Sequence, residues 1–195
     1  MSVTANKLPQ ELYLEQDIRE IYLEMLNKNF KITLAHKDDV DEIDKLLMTY
    51  TKEEIILARS QEQIYADLPF TYVVKTFAKV IAVMNFSFFQ PNLAEIRGLV
   101  IDQCFQRMAV GKRLLQFALT SLASRKEDIK KLKIDANELR LFALTYKPNF
   151  FVSCDFTICE KSEFPQKIYE VCQFCVKKDD CKEIAVERRI KFDEK

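Results

Sequence analysis

The stretch Ala94-Glu-Ile-Arg-Gly-Leu-Val-Ile-Asp-Gln-Cys-Phe-Gln-Arg-Met-Ala-Val-Gly-Lys-Arg-Leu-Leu115 passes from a buried strand through a short turn into an amphipathic helix. The strand ends at Ile101. The helix announces itself by an apolar row, Val110, Leu114, Ala118 and Leu122, widened by Leu115 and Leu119, while Lys112, Arg113, Gln116 and Thr120 face elsewhere. The first backbone N–H groups of such a helix have no partner within it. They point into the turn and, with the helix dipole, form a seat for phosphate oxygens. Gln106, Arg107, Lys112 and Arg113 surround that seat with donors and positive charge, and Gly111 is expected to let the backbone approach the ligand. An ordinary strand–turn–helix corner is the competing interpretation of the same residues.

Outward from this core, the periodicities alternate between those of strands and helices. Phe30–Ala35, Phe70–Phe77, Val80–Phe89, Glu95–Ile101, Leu139–Thr145 and Asp155–Cys159 read as strands. Residues 8–28 have the spacing of an amphipathic helix, a second begins at Lys37, and Asn149–Cys154 is a short helix or turn. Ser60 and Gln63 have capping-box spacing ahead of a short helix through Leu68. From Pro165 the pattern is helical but broken by cysteines. The order predicts a mixed α/β domain around a mostly antiparallel sheet. Its parts are a helical extension over 1–29, the domain proper over 30–164, and a cysteine-containing tail over 165–195 packed on it.

The composition narrows the function classes. The 195 residues have 30 Lys+Arg against 30 Asp+Glu, and a zero balance argues against a general nucleic-acid partner. Apolar runs such as Val80–Met84 are too short to span a membrane, and Met1–Lys7 lacks the apolar core of a signal peptide, so a cytoplasmic protein is expected. The six cysteines are then free thiols or metal ligands rather than disulfides. Cys172, Cys175 and Cys181 have a spacing that suits zinc, with Cys154, Cys159 or His36 as a fourth ligand; packing as small hydrophobes and a redox role are the alternatives.

Gln106-Arg-Met-Ala-Val-Gly111 resembles the acyl-CoA signature of the GCN5-related N-acetyltransferase (GNAT) superfamily, Gln/Arg-x-x-Gly-x-Gly/Ala after the fourth strand. Ala109 stands where the first glycine is usual, and it leaves room for a pyrophosphate provided its backbone is not left-handed. Leu57-Ala-Arg-Ser-Gln-Glu-Gln-Ile64, Phe150-Phe-Val-Ser-Cys-Asp-Phe156 and Phe164-Pro-Gln-Lys-Ile-Tyr169 are similar to blocks of the acetyltransferase domain of N-acetylglutamate synthases. Asp155 takes a position usually held by Gly, where Asp tolerates a left-handed turn. The Arg-x-Ser-Lys element of the synthase tail and the amino-acid kinase domain have no counterpart here.

The resemblance implies the GNAT fold and acetyl-CoA as co-substrate. The CoA would be bound along Leu99, Val100 and Ile101 and by the loop Gln106, Arg107, Met108, Ala109, Val110, Gly111 and Lys112. It places Glu95 where histone-type members have a catalytic base; pairing with a Lys or Arg is the alternative role. It puts Phe151 where many relatives use a tyrosine acid, leaving Tyr146 as a nearby substitute. Arg59 and Arg97, with Ser60, suit an amino-acid carboxylate, since a guanidinium binds carboxylate with two parallel bonds; surface ion pairs and helix capping are their other uses. The expected activity is acetylation of a small amine, an amino acid such as glutamate among the candidates, by a monomer or homodimer. A protein acetyltransferase and a non-catalytic acyl-CoA-binding module remain alternatives.

Overall fold

The computed structural model describes residues 30–192 apart from Glu54, Phe77, Ala78, Asp135, Ala136 and Val176; the helix read over 8–28 lies outside the described residues. The chain runs β1 (Phe30–Leu34), α1 (Val40–Lys52), α2 (Gln61–Asp67), β2 (Thr71–Thr76), β3 (Lys79–Phe89) and β4 (Leu93–Ile101). It continues through α3 (Val110–Ala123), α4 (Lys126–Lys131), β5 (Glu138–Thr145), α5 (Pro148–Val152), β6 (Thr157–Cys159), α6 (Pro165–Glu170) and β7 (Ile184–Lys191). The sheet order is β1-β2-β3-β4-β5-β7-β6, antiparallel throughout except for the β4–β5 pair. Among the described residues no helix is long and apolar enough to cross a membrane.

The sheet is covered on both faces. On one, Tyr72, Val74, Met84, Phe86, Ala94 and Ile96 pack against the apolar row of α3, with Leu114, Leu115, Ala118 and Leu122 fully enclosed. On the other, Val73, Val80, Val83 and Val100 receive Ile43, Leu46, Leu47 and Tyr50 of α1 and Ile64 of α2. Ser60 caps α2 as the capping box predicts: its side chain accepts the Gln63 N–H at 3.2 Å and its own N–H donates to Gln63 Oε1 at 2.9 Å.

Two features position the site. The first is a bulge in β4. Arg97 pairs with Asn85 and Val100 with Val83, so Gly98 and Leu99 together oppose Met84. The extra residue reverses the alternation: Ala94 and Ile96 lie on the α3 side, Val100 on the α1 side, and Leu99 and Ile101 on the α3 side again. Gly98 has φ +60°, the left-handed region that favours glycine. The second is the divergence of β4 from β5. They pair only where Leu93, Ala94 and Glu95 meet Arg140, Leu141 and Phe142; beyond Glu95 they separate into a fork.

The tail departs from the sequence reading. Its helix is confined to Pro165–Glu170, and Ile184–Lys191 forms a strand between β5 and β6. The sheet thus draws on residues from both sides of the 164/165 boundary. The charges of Glu187-Arg-Arg189 favour a helical reading in sequence, but in the strand they are matched by partners on other segments. Glu187 pairs with Arg140, Arg188 Nη1 donates to the Cys154 carbonyl at 3.0 Å, and Arg189 Nη1 lies 3.2 Å from Glu138 Oε2.

At Gly98 an added Cβ would lie 2.7 Å from Arg59 Nη2, in a backbone conformation that L side chains rarely adopt. Gly98→Ala is expected to destabilise the fold by about 1–3 kcal/mol, a range that covers left-handed strain plus displacement of the guanidinium. Urea unfolding checks this, and an unchanged midpoint would contradict it.

Candidate active site

The fork opens on two adjoining cavities. One, of about 1110 Å³, runs from Leu99–Ile101 along the start of α3 to Ser153. The other, of about 760 Å³, is walled by Arg59, Glu95, Arg97 and the segment between α6 and β7. They meet at Ile55, Ile56, Ile96, Gly98, Leu144, Tyr146 and Glu183.

In the first cavity the loop ahead of α3 is curled by two left-handed residues, Arg107 (φ 61°) and Ala109 (φ 57°). The sequence reading requires Ala109 not to be left-handed; it is, and as the N-cap of α3 it provides no side-chain cap. The first intrahelical bond runs from Arg113 N to Ala109 O at 3.0 Å. The Val110, Gly111 and Lys112 N–H groups therefore sit at an uncapped, positively polarised helix end facing the cavity. This fits the phosphates of a CoA, and the unbonded edge of β4 past Glu95 offers backbone groups to an extended arm.

Several residues predicted for this ligand have other tasks. Leu99, Val100, Ile101, Gln106, Arg107, Ala109, Val110, Gly111 and Lys112 line the cavity, whereas Met108 packs against the core. The Gln106 amide donates to Tyr50 Oη at 2.7 Å and to the Ile101 carbonyl at 3.2 Å, which the Tyr50 hydroxyl also reaches. Gln106 thus ties the loop to β4 and α1. Lys112 Nζ donates to the Ser153 carbonyl at 3.3 Å. An added Cβ at Gly111 would meet Ile101 Cδ1 at 3.1 Å and Phe150 at 3.4 Å. Glycine there lets α3 lie close on β4 and α5 at the cavity wall. Phe151 is buried in the core, and Tyr146 lines both cavities.

In the second cavity Arg59 is held by three neighbours. Nη1 donates to the buried Asn85 Oδ1 at 2.8 Å and lies 3.5 Å from Asp67 Oδ2, while Nη2 rests against the bare Cα of Gly98. Burial first, and the Arg97 charge second, pull the Arg59 guanidinium down to about 10. Arg97 lines the same cavity; Ser60 does not, being engaged as the α2 cap.

Glu95 has the cationic partner that the alternative reading of its strand-start position expects. Its Oε2 accepts from Lys167 Nζ at 2.7 Å, with both side chains buried. Sequence spacing does not connect these two residues; α6 brings Lys167 over β4, seated by the stacking of Phe164 on Phe142 at 4.2 Å.

Cys172, Cys175 and Cys181 line this cavity as free thiols, but they do not form the expected zinc site. Among the described residues no three His, Cys, Asp or Glu side chains are grouped to hold a metal. Cys181 Sγ has Lys161 Nζ at 3.3 Å and lies 3.7 Å from Glu183 Oε2, and an adjacent ammonium disfavours a cation. Of the proposed fourth ligands, Cys154 is buried in the core, Cys159 sits in β6 and His36 caps the turn before α1. Glu183, which sequence reasoning misses, stands at the junction of the two cavities.

Replacing Ala109 by Gly removes left-handed strain and improves the N-cap, so Ala109→Gly is expected to stabilise the protein by about 0.5–1.5 kcal/mol. A lower midpoint in urea would show that the loop is not strained at Ala109.

Comparison with known proteins agrees with this geometry. The sequence model of the acetyltransferase (GNAT) family matches residues 37–144. An uncharacterized N-acetyltransferase of Chlorobaculum tepidum is 31% identical over 152 residues, covering 78% of this chain and 91% of that protein. Among solved structures, N-acetylglutamate synthase from Neisseria gonorrhoeae, complexed with coenzyme A and N-acetyl-glutamate, superposes with a TM-score of 0.65 at 19% identity. That likeness covers 85% of this chain and 35% of the synthase chain. Rv2747 from Mycobacterium tuberculosis, in complex with CoA, superposes with a TM-score of 0.63 at 18% identity over 82% of this chain and 99% of that one. With its forked sheet and the uncapped helix beside the fork, the chain belongs to the GNAT family of acetyltransferases.

Proposed function

We propose that this N-acetyltransferase passes the acetyl group of acetyl-CoA to the amino group of a small molecule that also bears a carboxylate, an amino acid such as glutamate among them. The observation that carries the acceptor class is the pair of guanidinium groups, Arg59 and Arg97, on one wall of the second cavity. Each raises the electrostatic cost of the other, and Arg59 is nearly enclosed, with only 9% of its side chain exposed. A carboxylate between them relieves that repulsion and is held by charge-assisted bonds. Residues between Cys172 and Glu183 wall the same cavity. The fold likeness to a synthase complexed with N-acetyl-glutamate is consistent with this class.

In this reading the pyrophosphate rests on the Val110–Lys112 N–H groups and the pantetheine arm lies along Leu99–Ile101. The thioester carbonyl accepts from a backbone N–H near Val100 or Ile101, where charge builds up in the transition state. The acceptor amine enters from the second cavity and attacks the carbonyl carbon directly. Catalysis is then mostly the alignment of two reactants across the fork, together with removal of a proton. Glu95, paired to Lys167, fixes the floor of the acceptor cavity.

Two outcomes test this. Ala109→Asp tolerates the left-handed backbone and can cap α3, so the free protein should fold with equal or greater stability. Its carboxylate takes the donors meant for phosphate, so the rise in melting temperature caused by acetyl-CoA should be abolished. A retained shift would remove the phosphate seat from this loop. Arg59→Lys loses one of two parallel bonds and should raise the acceptor KM by at least about tenfold, with the KM for acetyl-CoA within about twofold. Equal effects on both, or acetylation of polyamines or peptides in place of amino acids, would overturn the carboxylate assignment.

A further inference from the structure

Two titratable side chains among the described residues border both cavities, Glu183 and Tyr146. Their placement follows from the sheet. β7 pairs with β5 in a register that sets Ile184 opposite Thr145, the last residue of β5. This is the end of β5 that has parted from β4, so the residues just outside that pair, Glu183 and Tyr146, flank the mouth of the fork. Glu183 is half-buried there, and its Oε2 lies 3.7 Å from Cys181 Sγ. The junction is where an amine entering from the acceptor cavity must meet a thioester entering from the other. Glu95, the base that the family resemblance implies, borders only the acceptor cavity and is bonded to Lys167.

We propose that Glu183 is the general base of the acetyl transfer, taking the proton from the acceptor ammonium at the junction of the two cavities. This rests on the amine-acetylation reading above. Glu183 accepts one proton from the ammonium, and the freed nitrogen lone pair forms the C–N bond to the acetyl carbonyl carbon. Collapse of the tetrahedral adduct breaks the C–S bond. The sulfur leaves with its electron pair and takes the second proton lost by nitrogen, giving the amide and free CoA thiol. Glu183 then releases its proton to solvent, so one proton is produced for each ammonium consumed.

The surroundings suit this role. Burial, and next the negative charge of Glu95 on β4, push the Glu183 carboxyl above its ordinary value. Opposing this are Lys167 on α6, the Cys181 hydrogen bond and Lys161 in the turn after β6, and the net direction is upward. Tyr146 and Cys172 face the same carboxylate, and each is itself pushed up, first by its own burial and further by the charge of Glu183. A carboxylate tuned toward neutrality is a better proton acceptor than one at its ordinary value. The fold therefore disfavours the charged form. Stability should fall as pH rises through the raised value, and substitution by a neutral amide should relieve that cost.

The test uses the full chain, acetyl-CoA and a panel of amino acids, with rates read as CoA thiol release across the acid-to-neutral range. Glu183→Gln is expected to lower kcat on the best acceptor by about 100-fold or more, the scale of a lost general base. It should erase the acidic limb of the kcat–pH profile and leave both the acetyl-CoA thermal shift and the melting temperature of the free protein equal to or above wild type. Glu183→Asp should keep the limb at a reduced rate, and Glu95→Gln should keep the limb while lowering the melting temperature. A Glu183→Gln variant within about twofold of wild type with the limb intact overturns the assignment, and so does loss of activity that tracks loss of the folded state. A wild-type protein that binds acetyl-CoA but acetylates no amine overturns the amine reading itself, and the base falls with it.

Discussion

β4 changes its bonding half-way along. As far as Glu95 it pairs with a strand on both edges; from Ile96 onward only β3 pairs with it, and on the other edge the Ile101 carbonyl is taken by Tyr50 and Gln106 while the rest borders the cavity. A buried strand with one unbonded edge is costly unless something else takes up its donors and acceptors. The inserted residue at Gly98 sits within this half. It shifts the phase of the side chains so that Val100 serves the α1 face while Leu99 and Ile101 serve the α3 face. The same bare Cα gives Arg59 the space it occupies. One glycine therefore links the curvature of the strand, the repacking of both faces and the position of a cation in the acceptor cavity.

Much of this is legible in the amino-acid sequence. The strand–turn–helix passage 94–115 is strongly patterned, and its elements lie where the periodicity puts them. Local signals are sound where they are chemical: the Ser60–Gln63 box forms, and Asp155 is left-handed at φ 64°, as its place in a glycine position suggests. What the sequence does not show is the set of contacts fixed by tertiary structure. Nothing in the spacing says that Gln106 turns back to Tyr50, that Met108 faces the core, or that Gly111 is small for the sake of Ile101 and Phe150.

The tail is the least legible part, for a physical reason. β7 is buried mainly at Ala185 and Val186, shows no clean alternation, and puts Glu187, Arg188 and Arg189 in consecutive positions. Such a run usually marks a solvated helix face. Here each charge finds its partner on a segment distant in sequence, Arg140, Asp155 or Glu138. The cysteine spacing is suggestive for similar reasons: three thiols do line one cavity wall, but Lys161 and Glu183 occupy the surroundings of Cys181. Glu183 offers no signal in sequence at all, because its significance lies in the register of β7 on β5.

The place of β7 bears on how the protein comes into being on the ribosome. β6 is made before β7 yet joins the sheet only through it, and β5 likewise waits for β7 on one edge. While Ile184–Lys191 is still in the exit tunnel, the half of the molecule that holds the phosphate loop can already be packed, whereas β5 and β6 expose strand edges able to pair with the wrong chain. The acceptor side thus matures after the phosphate side, and until β7 emerges the nascent chain is open to aggregation and proteolysis at the edges of β5 and β6.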